Sequence, residues 1–176
     1  MRSDLSREED NRFQWTHPQS SVTLDPLIAL SLVGQLQVLP ALYNNVLVPE
    51  AVWHEVVESG FGRAGSAELK TAQWIEVIPS IAVDSFLEVD LGRGESQVIA
   101  VARARGAGLV LIDELLARRV AGQVYSLRVK GSAGILVQAK KAGMIPAVRP
   151  LLGEMKKHGY YLSARLIERA CSEASE

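Results

Sequence analysis

The chain has 176 residues, 48% of them hydrophobic and 22% charged, which suits one globular domain with a substantial core and excludes a disordered or fibrous chain. A formal net charge of -1 removes any argument for nucleic-acid binding from overall basicity, so such binding has to come from local clusters. The single cysteine, Cys171, builds no internal disulfide framework, and no Cys/His spacing suits zinc, which points to an intracellular protein.

Residues 1–19 are polar and charged, lack the apolar core of a signal peptide, and read as a loosely ordered extension before a single domain over 20–176. The apolar region from Val22 to Tyr43 is interrupted by Asp25, Pro26, Gly34, Gln35 and Pro40. No membrane span is expected, and the cytoplasm is the expected location. Ser21 to Leu24 reads as a first strand. Asp25-Pro26 then has the form of an N-cap followed by proline at the first helical position, opening a helix to about Val33. A short helix over Leu36 to Tyr43 leads to a second strand, Val46-Leu47-Val48, and Pro49 opens a helix on which Val52, Glu55 and Val56 share a face. Gly60, Gly62, Arg63 and Gly65 form an expected mobile loop, followed by a helix from Ser66 to Gln73, a strand from Trp74 to Ile78 and a linker through Asp84.

From Glu95, apolar residues at helical spacing (Val98, Ile99, Ala102) place an acid at the head of an apolar stripe. After Gly106 and Gly108, the unalternating run Leu109-Val110-Leu111-Ile112 reads as a strand covered on both faces, with Asp113 at its carboxyl end. A helix from Glu114 to Gly122, a strand at Leu127-Arg128-Val129, a helix capped by Gly131-Ser132, another from Pro146 to Lys157 and a last one capped by Ser163 complete the chain. Strands alternating with helices imply a parallel sheet between helical layers.

Ligands of open α/β sheets bind beyond the carboxyl ends of the strands, where Glu55, Glu95 and Asp113 are expected to converge. A carboxylate on an apolar stripe is costly unless paired or bound to a cation, and several together suit the hard ions Mg²⁺ or Mn²⁺. Any one of these acids alone reads first as a helix-terminal or surface residue; it is the three together at one sheet edge that point to a site. Hydrolysis of a phosphodiester fits the constellation. His17, His54 and His158 have no Ser/His/Asp partners and read as surface or structural histidines. Gly92-Arg93-Gly94 fails as a dinucleotide motif because it does not follow the first strand and Gln97 stands at the third glycine position. No GxxxxGK[ST] loop is present. Among the basic pairs, Arg118/Arg119 and Arg128/Lys130 follow Asp113 and are candidates to meet a phosphate backbone, whereas most others read as solvated helix faces.

Together, Pro26-Leu27-Ile28-Ala29-Leu30, Val48-Pro49-Glu50-Ala51-Val52 with Glu55-Val56, Leu91-Gly92-Arg93-Gly94-Glu95, Leu111-Ile112-Asp113-Glu114, Gly131 to Leu136 and Gly159-Tyr160-Tyr161-Leu162-Ser163 make the chain from about Ser21 onward resemble the PIN-domain nucleases. The similarity is greatest to a VapC-like branch classed as a domain of unknown function. The resemblance implies a three-layer α/β/α sandwich with a central parallel sheet and Mg²⁺- or Mn²⁺-dependent cleavage of single-stranded RNA. It also implies toxins of toxin–antitoxin pairs, with a small antitoxin partner and homodimers. By position it implies Glu55, Glu95 and Asp113 as catalytic, metal-binding acids, Glu114 as an adjacent candidate, and Ser132 as a small hydroxyl near the cleft, with Lys130 and Arg119 as further candidates for substrate. Ser132 also has a sufficient structural reason as a helix N-cap.

In one respect the chain departs from the family pattern. The first strand normally ends in Asp, followed by two residues and then Pro-Leu-Ile, and here that Asp position is Thr23. Asp25 lies two residues on and could reach a metal from a displaced position, although the N-cap reading is the stronger of the two. Two functions follow: an endoribonuclease, weakened by Thr23, or a degenerate PIN domain that binds RNA or a protein without cutting.

Overall fold

A computed structural model describes residues 19–57 and 65–176. Five short strands form one all-parallel sheet: β1 (Ser20–Val22), β2 (Val46–Pro49), β3 (Ile75–Ile78), β4 (Leu109–Leu111) and β5 (Arg128–Lys130). Their order is β3-β2-β1-β4-β5, with Ser20 level with both Val46 and Leu109, and Leu111 level with Lys130. The unalternating runs explain this arrangement. Val46-Leu47-Val48 and Val110-Leu111-Ile112 are fully buried, as residues covered on both faces of a parallel sheet must be, while the edge strands β3 and β5 are more open.

Ten helices occur among the described residues: α1 (Leu24–Leu32), α2 (Val38–Tyr43), α3 (Glu50–Val57), α4 (Ser66–Lys70), α5 (Ser85–Asp90), α6 (Arg93–Arg105), α7 (Leu115–Gln123), α8 (Ser132–Lys141), α9 (Arg149–Lys157) and α10 (Ala164–Glu173). Helix α6 lies across β1, β2 and β4, and α8 packs on α1, α2 and α10, completing the α/β/α fold. Gly106, with φ of 67°, ends α6 in the left-handed conformation that glycine adopts without strain. None of the described helices is long and apolar enough to cross a membrane.

Several expected boundaries move. The supposed linker before Leu91 contains α5, capped by the Asp84 carboxylate accepting from Phe86 N at 3.2 Å and anchored by the fully buried Leu87. Six residues with one buried side chain carry too little periodicity to reveal a helix. Helix α9 starts at Arg149, with Pro150 in its first turn, and not at Pro146. Gly131 and not Ser132 is the N-cap of α8. Gln97, which breaks the dinucleotide motif, clamps the segment after β3: its side chain donates to Ile81 O at 2.8 Å and accepts from Ile81 N at 3.1 Å. Gly60, Gly62, Arg63 and His17 lie outside the described residues, and Gly65 precedes α4 with φ of 84°.

Candidate acidic site

The chain runs β1, β2, β3 to one side and then returns to place β4 on the other side of β1, so the switch point lies between β1 and β4. At such a point the loops beyond the strand ends diverge and leave a crevice. Thr23 and Asp25 stand beyond β1, and Asp113 stands beyond β4.

Thr23 belongs to the sheet more than to the crevice. It is 2% exposed, and both its backbone N–H (3.0 Å) and its hydroxyl (3.2 Å) donate to Leu111 O, tying β1 to β4. Its extended backbone makes it the N-cap residue of α1, although its side chain does not cap. Asp25 is therefore not the N-cap, as the Asp-Pro pair had suggested; it sits inside the first turn, one residue before Pro26. There it is half-buried, and its carboxyl is held above the usual carboxylate range by burial first and then by the negative charges of Asp113, Glu95, Glu55 and Glu114. Asp25 thus feels the charge of the other four acids.

Asp113 is the most firmly held of them. Its carboxylate accepts from Ser132 N at 2.9 Å, from the Ser132 hydroxyl and from the Tyr160 hydroxyl at 2.7 Å. Burial, the Asp113 charge and the hydrogen bond to Asp113 push the Tyr160 phenol far up, so it stays a donor. Gly131 makes this approach possible: a Cβ there would collide with Asp113 Oδ1 and Arg118 Nη1. Arg118 donates to Ile112 O at 3.2 Å. It is Arg118, not the exposed Arg119, that comes to the site.

Glu95 occupies the first turn of α6, and its side chain folds over Gly92, where a Cβ would come within 2.5 Å of Oε2. Glu55 is exposed on α3, while Val52 and Val56 are buried, so it borders the apolar stripe and is not set into it. It lines a cavity of about 390 Å³ with Glu50, His54, Ser80 and Arg93. Glu114 caps α7, its carboxylate accepting from Ala117 N at 2.6 Å. Among the described residues, Asp25, Glu55 and Glu95 have no hydrogen bond or ion pair.

The donor chemistry fits a hard divalent cation, since these groups are carboxylates whose mutual repulsion a cation would relieve. Their spacing is open, and among the described residues no three His, Cys, Asp or Glu side chains stand close enough to share an ion. Tyr160 is the site residue that sequence reasoning missed. It lay within the Gly159 to Ser163 stretch, but nothing local marks a tyrosine that meets an aspartate 47 residues away.

Fold and crevice define an open parallel α/β domain with acids gathered at its switch point. A family model described as a PIN domain matches residues 24–176, and the chain belongs to that family. This is a nuclease-type fold, and PIN domains in general use divalent metals. Comparison with curated proteins gives no match.

Proposed function

We propose that this PIN domain is a divalent-metal-dependent endoribonuclease acting on single-stranded RNA. The observation that carries the reading is Asp25, half-buried just beyond β1 with its pKa raised by burial and by the charges of Asp113, Glu95, Glu55 and Glu114, which we take as the stand-in for the acid replaced by Thr23. Asp25, Glu95 and Asp113 are the carboxylates that would have to close on Mg²⁺ or Mn²⁺, since no three acids among the described residues stand close enough to share an ion as they are, with Glu55 and Glu114 lending charge from outside. When bound, such an ion polarises a phosphoryl oxygen and acidifies a water. Asp113, fixed by Ser132 and Tyr160, supplies a carboxylate that does not rotate away. Arg118, beside Asp113, favours approach of the phosphodiester. A toxin role, an antitoxin partner and a homodimer rest on family resemblance.

A second reading has its own observation. The Thr23 hydroxyl is occupied by Leu111 O, so the residue at the family's acidic position does no chemistry, and a degenerate PIN domain would bind without cutting. Purified protein incubated with 5′-labelled single-stranded RNA and Mn²⁺ distinguishes them. The first reading expects cleavage that EDTA and Asp113→Asn abolish; RNA left intact by the unaltered protein decides for the second.

A further inference from the structure

Next to the acidic crevice lies a cavity of about 360 Å³ between β5, α8 and α10, with Asp113 on its rim. Four cations line it, Arg118, Lys130, Lys141 and Arg169, against two carboxylates, Asp113 and Glu173. Lys141 is paired with Glu173 at 3.4 Å. The others lack an acidic partner among the described residues: Arg118 donates to a backbone carbonyl, Lys130 to the Gln138 amide, and Arg169 to no described group. The Lys130 ammonium is partly desolvated, and burial, with Arg128 and Lys141 nearby, holds it below the ordinary lysine range, Glu173 opposing. Gly134 leaves room for the Lys130 stem, since a Cβ there would come within 3.0 Å of Lys130 Cγ. Apolar surface from Val129, Val137 and Leu166 lies between the charges.

We infer that this cavity seats the phosphodiester backbone of an RNA strand beside the acidic crevice, with Lys130 and Arg169 contacting phosphates and Arg118 leading the chain on toward Asp113. Unneutralised cations around an apolar floor match a strand of phosphates joined by sugars. The inference rests on RNA being the ligand, as proposed above, but not on its being cut.

The test measures anisotropy of a 5′-labelled 12-nucleotide oligouridylate at several salt concentrations, in EDTA, so that cleavage plays no part. Arg169 is exposed, and Arg169→Gln leaves the fold intact, which a melting curve checks. Arg169→Gln and the double variant Lys130→Gln/Arg169→Gln are expected to bind more weakly, the double by ~10-fold at low salt. The double variant's log–log salt slope is expected to be shallower by about 1.4, the value for two lost phosphate contacts to a single strand. Equal affinities and slopes in all three proteins would overturn the inference, as would no binding by the unaltered protein. Displacement of the RNA by inorganic phosphate at constant ionic strength would make the cavity a small-anion site instead and equally refute it. Binding as expected with RNA left intact in Mn²⁺ refutes the nuclease reading and leaves this inference standing.

Discussion

The Tyr160 hydroxyl donates to Asp113 Oδ2 across 2.7 Å, joining the loop between α9 and α10 to the carboxyl end of β4. With the Ser132 N–H and hydroxyl on the same carboxylate, it fixes the orientation of the central acid. Tyr160→Phe removes one of three donors, so the expected loss of stability is about 1 kcal/mol, the usual scale for one hydrogen bond. Urea unfolding measures it. Because Asp113 regains rotational freedom, cleavage should lose kcat more than it changes KM; an unchanged kcat argues against a positioning role for Tyr160.

Asp25 tests the repulsion in the crevice. Its carboxyl is raised above 3.8 in the folded protein, so at neutral pH the ionised form costs stability that the unfolded chain does not lose. Asp25→Asn should therefore raise the melting temperature in EDTA at pH 7. That gain should shrink as pH falls through the raised value and vanish below 3.8, where both states are protonated. Mn²⁺ should raise the melting temperature of the unaltered protein and leave the variant nearly unmoved, and cleavage should drop ~100-fold. A variant less stable than the parent in EDTA contradicts the electrostatic account.

Thr23→Asp asks whether the family's usual acid is missed. A carboxylate in place of a hydroxyl that is 2% exposed, facing the Leu111 carbonyl it now donates to, lacks a donor and should cost about 3 kcal/mol. Asp25 already supplies the charge, so cleavage in Mn²⁺ should not rise. Increased cleavage would show that the displaced acid is an inadequate substitute.

The Glu176 carboxylate accepts from Lys140 Nζ at 2.8 Å, Val148 N at 2.6 Å and Arg149 N at 2.9 Å, clasping α8 to the start of α9. The Lys140 hydrogen bond, then those from the two backbone N–H groups, lowers its pKa from 4.5 to about 2. A depressed carboxylate stabilises above its unfolded value and loses that contribution as pH falls toward the folded one. Glu176→Gln should thus melt below the parent at pH 7, the gap closing between pH 4.5 and about 2. A gap that persists at pH 2 would assign the effect to packing.

Much of this architecture was legible from local pattern. Unalternating runs such as Leu109 to Ile112 announced buried parallel strands, and glycines such as Gly106 marked where helices end, because burial on two faces and left-handed backbone select residue types directly. That Glu95 starts α6 and Asp113 follows β4 was legible from the same pattern. The cap position was misplaced at Asp25 because Asp-Pro has a local explanation as a cap, and nothing in the neighbouring sequence shows that the cap has moved to Thr23.

The sequence by itself thus determined the alternation of strands and helices, the carboxyl ends at which acids stand, and membership of the fold class. Only the tertiary structure decided which groups meet: that Asp25 feels the charges of Asp113, Glu95, Glu55 and Glu114, that Tyr160 and Ser132 hold Asp113, and that Arg169 and Lys130 line a neighbouring cavity. Periodicity encodes which face of an element is buried. Hydrogen bonds and Coulomb interactions depend on distances through space, which the crossover connections of the parallel sheet create between residues far apart in the chain.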